Sequence, residues 1–176
     1  MRIEVENLTP AGEAFANTYG PGQLALEDER LRLTGETRVE GRASRKGEEV
    51  RLRGRVTAEA EVYCDRCLKP VAAPLEVEFE TAFIPAAREV VKTENVELLP
   101  DELGLAAYEG DAVDLDDLVR EQLLLSVPSR ALCREDCRGL CPTCGADLNE
   151  GGCGCARTET DPRWAALAEW KKGREP

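Results

Sequence analysis

The cysteines constrain this chain more than any other feature of its sequence. There are eight cysteines and no histidine, and six of the eight lie between Cys133 and Cys155. Two of them form the run Cys141-Pro-Thr-Cys144-Gly, and a separate pair, Cys64-Asp-Arg-Cys67, lies upstream. Two thiols separated by two residues can bind one metal ion, and the Cys-Pro-x-Cys-Gly form is typical of a zinc knuckle. The sequence therefore predicts two structural zinc ions, each held by four sulfurs, with the ligands Cys64, Cys67, Cys133, Cys137, Cys141, Cys144, Cys153 and Cys155.

Disulfides, thiol redox chemistry and an iron–sulfur cluster are the alternatives to zinc. Disulfides require an oxidising compartment, and the N-terminal run Met1-Arg-Ile-Glu-Val-Glu lacks the apolar segment of a signal peptide. No stretch approaches the roughly 18 apolar residues that a membrane span requires. We therefore expect a cytoplasmic protein with reduced thiols and no membrane partner. A thioredoxin-like pair would precede a helix, whereas Cys64 follows a strand-like run, and the spacing does not match ferredoxin runs.

The division of the eight thiolates between the ions is a separate question. The favoured partition places Cys141, Cys144, Cys153 and Cys155 in one local ribbon, and Cys64, Cys67, Cys133 and Cys137 on the other ion. The second set would attach the N-terminal part of the chain to the start of the cysteine-rich segment. Two other arrangements remain open. Either the upstream pair shares an ion with Cys141 and Cys144, or one zinc is bound C-terminally and the upstream pair is free.

Residues 1–84 have the pattern of an antiparallel, β-rich body. Leucines between Gln23 and Leu33 predict two short strands joined at Glu27-Asp-Glu, and a hairpin turn is expected at Arg45-Lys46-Gly47-Glu48. The stretch Val50–Val62 alternates apolar residues with Arg51, Arg53 and Arg55, and Leu75–Phe83 alternates in the same way. We expect the first cysteine pair in a connection between these strands.

The rest of the chain is expected to contain one or two helices and little other regular structure. Residues 85–112 are acidic and interrupted by proline and glycine, which predicts an irregular linker. Within residues 113–176, Asp114 is a helix N-cap candidate before an apolar run at helical spacing that Pro128 ends. Asp161-Pro162 predicts a second helix that continues to about Lys172. The predicted fold class is therefore α+β, with an antiparallel β-rich body and a zinc-stapled C-terminal segment.

The net charge of −12 is unfavourable for binding nucleic acid through long-range attraction, but it is unevenly distributed. Residues 36–55 carry seven basic and four acidic side chains, whereas residues 94–121 carry ten acidic and one basic. The arginines of the 51–55 stretch are either a solvated strand face paired with glutamates such as Glu40 and Glu59, or a ladder that contacts RNA phosphates. Arg66 either belongs to a solvated turn or presents its guanidinium to a phosphate. The candidate RNA contacts are Arg51, Arg53, Arg55, Arg66, Trp170, Lys171 and Lys172.

An enzymatic role has little support in the sequence. The chain lacks a histidine for proton transfer near neutral pH, a phosphate-binding glycine loop and a nucleophile elbow. All-sulfur zinc sites are closed structural sites, because catalytic zinc keeps a position open for water or substrate. We therefore expect a non-enzymatic protein without a small-molecule substrate.

Five motifs follow one another along the chain: Tyr63-Cys-Asp-Arg-Cys-Leu, the predicted helix capped by Asp114, the run Cys137-Arg-Gly-Leu-Cys-Pro-x-Cys-Gly-x-x-Leu-Asn, Cys153-x-Cys, and Asp161-Pro-Arg-Trp. In this order they resemble the motifs of the YceD-like family of large ribosomal RNA subunit accumulation proteins. The resemblance covers roughly residues 60–170. It implies a factor that large-subunit (23S) ribosomal RNA needs in order to accumulate, acting in ribosome assembly or precursor processing. The implied partner is that RNA or its precursor. The alternative is a zinc-stabilised chaperone that binds a basic ribosomal or assembly protein through the acidic segment, residues 94–117.

Overall fold

The computed structural model of the chain describes residues 1–86 and 105–155, together with Arg163 and Leu167. These residues form eight strands, a short 3-10 helix and one α-helix. The bounds are β1 (Arg2–Glu4), the 3-10 helix (Val5–Asn7), β2 (Glu13–Tyr19), β3 (Leu31–Lys46), β4 (Glu49–Tyr63), β5 (Pro70–Ala72), β6 (Leu75–Pro85), β7 (Leu105–Tyr108), β8 (Ala112–Asp114) and α1 (Leu115–Ser126).

The main sheet has the strand order β2-β3-β4-β6-β7, and the short strand β5 also pairs with β4. Its long antiparallel strands follow one another along the chain, and Gly47 makes the β3–β4 turn with φ of 67°. The pair β6–β7 is parallel, and β1 and β8 form a separate antiparallel ribbon. The predicted α+β class with a mostly antiparallel body is confirmed.

The core lies between the inner face of the sheet and α1. Alternation along β4 buries Val50, Leu52 and Val56 and leaves the intervening arginines exposed, as the pattern predicts. The helix buries Leu115 and Leu123 against this face, and Asp114 caps it by accepting a hydrogen bond from the Asp116 N–H at 2.9 Å. The predicted cap and helix are therefore present, and the helix shares one core with the β-rich body.

Two segments differ from the sequence-based expectation. The residues before Leu31 form no strand after Tyr19, because the Asp28 carboxylate accepts the N–H groups of Arg30 and Leu31 in a tight turn. The predicted irregular linker ends earlier than Ala112, since residues 105–108 add a parallel strand to the sheet and residues 112–114 pair with β1. The predicted helix at 161–172 lies outside the described residues, apart from Arg163 and Leu167.

Two candidate metal centres

The eight thiols lie in two groups of four, and within each group every Sγ atom is within 4.8 Å of the others. Zinc–sulfur bonds of about 2.3 Å in a tetrahedron place the sulfurs about 3.8 Å apart. The Cys64 and Cys137 Sγ atoms are 3.8 Å apart and those of Cys67 and Cys133 are 3.6 Å apart, much longer than the roughly 2.0 Å of a disulfide. The first centre comprises Cys64, Cys67, Cys133 and Cys137, and the second comprises Cys141, Cys144, Cys153 and Cys155. This grouping is the favoured partition.

The first centre is built on a tight turn between β4 and β5. Cys64 follows the last residue of β4, and the Leu68 N–H donates to the Cys64 carbonyl oxygen at 2.9 Å. Leu68 adopts a positive φ of 59°, which turns the chain back and brings Cys67 beside Cys64. Because both cysteines are buried at the end of the sheet, the body supplies half of a preformed ligand set.

The C-terminal segment completes this centre by docking on the turn. The Asp65 N–H donates to the Ala131 carbonyl at 2.9 Å, and the Asp65 carboxylate accepts the Ala131 N–H at 2.7 Å. The Arg66 guanidinium donates to the Cys137 carbonyl oxygen at 2.6 Å, and the Leu140 N–H donates to the Arg66 carbonyl at 3.1 Å. The two residues between the cysteines therefore join the body to the residues that carry Cys133 and Cys137.

The second centre is a local knuckle within the C-terminal segment. The Cys141 N–H donates to the Ala146 carbonyl at 2.8 Å, and the Gly145 N–H donates to the Cys141 carbonyl at 2.9 Å. Gly145 has a positive φ of 74°, which explains the glycine after the second cysteine of the motif. Cys141 is buried, whereas Cys144 is exposed. This centre thus closes a short loop, and all four of its candidate ligands come from the C-terminal segment.

Asn149 connects the loop between the centres to the first of them. Its side-chain oxygen accepts the Arg138 N–H at 2.8 Å, and its Nδ2 donates to the Cys137 Sγ at 3.5 Å. Asp147 orients this amide by accepting from Asn149 Nδ2 at 2.7 Å, and Lys69 forms an ion pair with Asp147 at 2.7 Å. Neither Asn149 nor Asp147 was among the predicted site residues, although Leu-Asn is part of the run that carries the family resemblance. Such outer partners hold ligands in place and tune their basicity.

The thiols of each centre ionise unequally when no cation balances them. Burial opposes ionisation of Cys64, but N–H groups of Cys133, Cys67 and Arg66 outweigh it and lower the Cys64 pKa to about 6. Backbone N–H groups of Cys144 and Thr143 lower the pKa of Cys141 to about 6 as well. Hydrogen bonding with Cys67 and burial raise the Cys133 pKa to about 12, because neighbouring thiolates compete. Four sulfurs at this spacing, without histidine, match the donor set of a closed tetrahedral zinc site.

Two of the three arginines of the predicted ladder on β4 form ion pairs with glutamates. Arg51 pairs with Glu49 at 2.8 Å and Glu80 at 3.3 Å. Arg55 pairs with carboxylates of β6, at 3.0 Å to Glu76 and 2.9 Å to Glu78. These contacts raise the pKa of Arg51 and Arg55, mainly through hydrogen bonds to Glu49 and Glu78.

The remaining RNA-contact candidates differ in what the structure shows of them. Arg53 forms no ion pair with the residues that the structure describes, whereas Arg66 is bonded to backbone carbonyls. Trp170, Lys171 and Lys172 lie outside the described residues. The structure therefore gathers the eight cysteines into two groups of four, and among the described RNA-contact candidates it separates Arg66 at the first centre from the three arginines of β4.

Comparison with known proteins gives a consistent relationship over most of the chain. The family model of the large ribosomal RNA subunit accumulation protein YceD matches residues 52–171. An uncharacterized protein of Mycobacterium tuberculosis is 32% identical over 161 residues, which cover 89% of this chain and 72% of that protein. The uncharacterized protein YlbN of Bacillus subtilis is 26% identical over 159 residues, or 90% and 87% of the two chains.

A plant relative carries a functional name. The chloroplastic large ribosomal RNA subunit accumulation protein YCED homolog 1 of Arabidopsis thaliana is 32% identical over 60 residues, which cover 34% of this chain and 19% of that protein. No solved structure matches the chain significantly. Among the described residues, no helix is long and apolar enough to cross a membrane.

Proposed function

The chain belongs to the YceD family of large ribosomal RNA subunit accumulation proteins, and we propose that it is a non-enzymatic cytoplasmic factor that binds this RNA or its precursor during ribosome assembly. The observation that carries the proposal is the family match over residues 52–171, which contain most of β4, both candidate metal centres and α1. An RNA accumulates when it is protected from degradation or helped to mature. A protein that binds the RNA can do either without a catalytic centre.

Zinc at both centres is part of the proposal. A zinc ion supplies fixed tetrahedral geometry and charge balance to four thiolates and no reactive water. Cys64 and Cys67 would hold it from the body, with Cys133 and Cys137 from the C-terminal segment, and the other four cysteines would hold the second ion. Residues 127–155 contribute one buried residue, Ala131, to the main apolar core, and the half-buried Val127 packs against it. Metal binding is therefore expected to supply most of the folding free energy of this segment.

RNA is favoured over a basic protein partner because three of the five described carboxylates of the acidic segment are used within the fold. Asp114 caps α1, and Asp116 binds both the N-terminal amino group and the Tyr19 hydroxyl. Asp117 forms an ion pair with Arg120 on the next turn of the helix. These three carboxylates are therefore not free to receive a basic ribosomal protein, as the chaperone alternative would require.

Depletion of the protein in its own cells tests the proposed role. The expected result is a fall in mature large-subunit ribosomal RNA relative to small-subunit RNA, restored by the wild-type chain. A variant with Cys64→Ser and Cys67→Ser should restore accumulation poorly, because the ion of the first centre would no longer link the C-terminal segment to the body. An unchanged ratio of the two RNAs after depletion would contradict the proposal.

A further inference from the structure

Arginines gather around the first metal centre, in a chain that is otherwise strongly acidic. The arginine cluster of the first centre is defined here as Arg30, Arg66, Arg130, Arg134 and Arg138. All five are exposed. They come from three separate parts of the sequence, which the contacts of the first centre bring together.

The contacts of the Asp65–Arg66 turn place four of the five arginines, and Arg134 lies between Ala131 and Cys137 in the same docked segment. Arg30 Nη2 lies 3.8 Å from the Asp65 carboxylate, and Arg130 precedes Ala131, whose backbone is bonded to Asp65 on both sides. The Arg66 guanidinium donates to the Cys137 carbonyl, which belongs to the peptide bond that joins Cys137 to Arg138. The turn therefore contacts the chain next to Arg130 through Asp65 and next to Arg138 through Arg66, and Arg30 also lies beside Asp65.

The charges of this cluster are less neutralised than those of the sheet face. Among the described residues, Arg130 and Arg138 form no ion pair, and Arg66 is bonded only to carbonyl oxygens. Arg30 has one long contact to Asp65, and Arg134 has one to Asp136 at 3.3 Å. On the sheet face, by contrast, Arg51 and Arg55 each contact two glutamates. A phosphate approaching the cluster therefore has fewer carboxylates to displace.

We propose that the arginine cluster of the first centre is the site at which this chain holds the phosphate backbone of RNA. The inference rests on the proposed function and specifies its contact surface. Guanidinium groups bind phosphate through paired, directional hydrogen bonds, and local clusters can do so within a chain of net negative charge. The metal centre acts as the support, because it fixes the turn and the segment that carry the arginines relative to one another.

Filter binding of an in vitro transcript of large-subunit ribosomal RNA to the zinc-loaded full chain tests the site. The test variant combines Arg30→Glu, Arg130→Glu and Arg138→Glu, leaving Arg66 in place because it holds the Cys137 carbonyl. We expect affinity to fall about tenfold or more at moderate salt, and the slope of log K against log salt to decrease by about 2 to 3. The corresponding triple lysine variant keeps the charges and should retain most of the affinity.

The control variant combines Arg51→Glu, Arg53→Glu and Arg55→Glu, which changes the net charge by the same amount on the sheet face. Its affinity and salt slope should stay much closer to those of the wild-type chain. Zinc content and circular dichroism establish that both variants are folded. If the cluster variant binds as the wild-type chain does, or if only the sheet variant loses affinity, the inference is overturned while the proposed function stands. If the wild-type chain does not bind the transcript, direct RNA binding in the proposed function is contradicted, and the inference with it.

Discussion

Removing the body's half of the first metal centre should destabilise the whole fold, whereas removing half of the second should not. The variant that combines Cys64→Ser with Cys67→Ser leaves only the thiols of the C-terminal segment at the first centre. In the metal-bound chain, the ion joins Cys67 to Cys133 across 66 positions of sequence. Closing an unfolded-chain loop of this length contributes about 4 kcal/mol to the free energy of unfolding, by the chain-entropy relation for a covalent cross-link.

The second centre provides a matched control within the same chain. Cys144 and Cys153 are nine positions apart, so the ion there closes a loop that contributes only about 3 kcal/mol, all of it within the C-terminal segment. The control variant, Cys141→Ser with Cys144→Ser, loses the same number of thiols. Since its ligands do not include residues of the sheet, unfolding of the sheet should be little affected.

The free energies of unfolding of the two variants are compared by urea unfolding in excess zinc, monitored by the far-ultraviolet circular dichroism of the sheet. With a denaturant slope of about 2 kcal/mol per molar, the loss of 4 kcal/mol lowers the urea midpoint by about 2 M. The second-centre variant should keep a midpoint near that of the wild-type chain. Equal midpoints for the two variants, or an unchanged midpoint for the first, would refute the reasoning that the first centre joins the body to the C-terminal segment.

Three further substitutions test single contacts of the fold and of the first centre. Gly54→Ala should destabilise the sheet by about 1 to 3 kcal/mol in the same urea assay, because the added Cβ would lie 2.3 Å from the Glu40 carbonyl oxygen of β3. The control is Gly151→Ala, whose added Cβ meets nothing within 4 Å and should leave the urea midpoint nearly unchanged. Asn149→Asp should weaken zinc binding about 10- to 100-fold in a chelator competition, since it replaces the donor to the Cys137 sulfur with a negative charge, and unchanged affinity would exclude that role. Asp147→Asn should remove an acid-sensitive part of the free energy of unfolding, because hydrogen bonding to Lys69 lowers the pKa of Asp147. This contribution is complete above the ordinary aspartate pKa and is lost as the pH falls through the lowered pKa. Parallel profiles of stability against pH for the variant and the wild-type chain would contradict this.

The cysteine spacing and the alternation of β4 carried most of what the sequence could predict. Both are local signals: two residues between Cys64 and Cys67 suit one ion, and period-two burial assigns each side chain of β4 to a face. The Asp114 cap is local too, because its partner lies two residues away. These predictions did not require the arrangement of distant segments.

The predictions that failed depended on pairing between distant segments. The strands β1, β7 and β8 have only three or four residues each, which is too short for a recognisable alternation of apolar and polar residues. They are stabilised by strands that are distant in the sequence. Glu40, an expected ion-pair partner of the β4 arginines, lies opposite Arg55 in the register of β3 and β4. The ion pairs of Arg55 are instead with Glu76 and Glu78 of the neighbouring strand β6. Of the arginine cluster of the first centre, only Arg66 was a candidate RNA contact in the sequence, because Arg30 and Arg130 are far apart in the chain and both lie beside Asp65 only in the folded structure.

Ultraviolet crosslinking of the tagged protein in its own cells, with sequencing of bound RNA and identification of co-purified proteins, tests the central claim most directly. The account predicts crosslinks concentrated on large-subunit ribosomal RNA or its precursor, with crosslinked peptides from the residues around the first centre. The absence of RNA crosslinks, together with enrichment of one basic ribosomal or assembly protein, would contradict it and favour a chaperone that acts through the acidic segment.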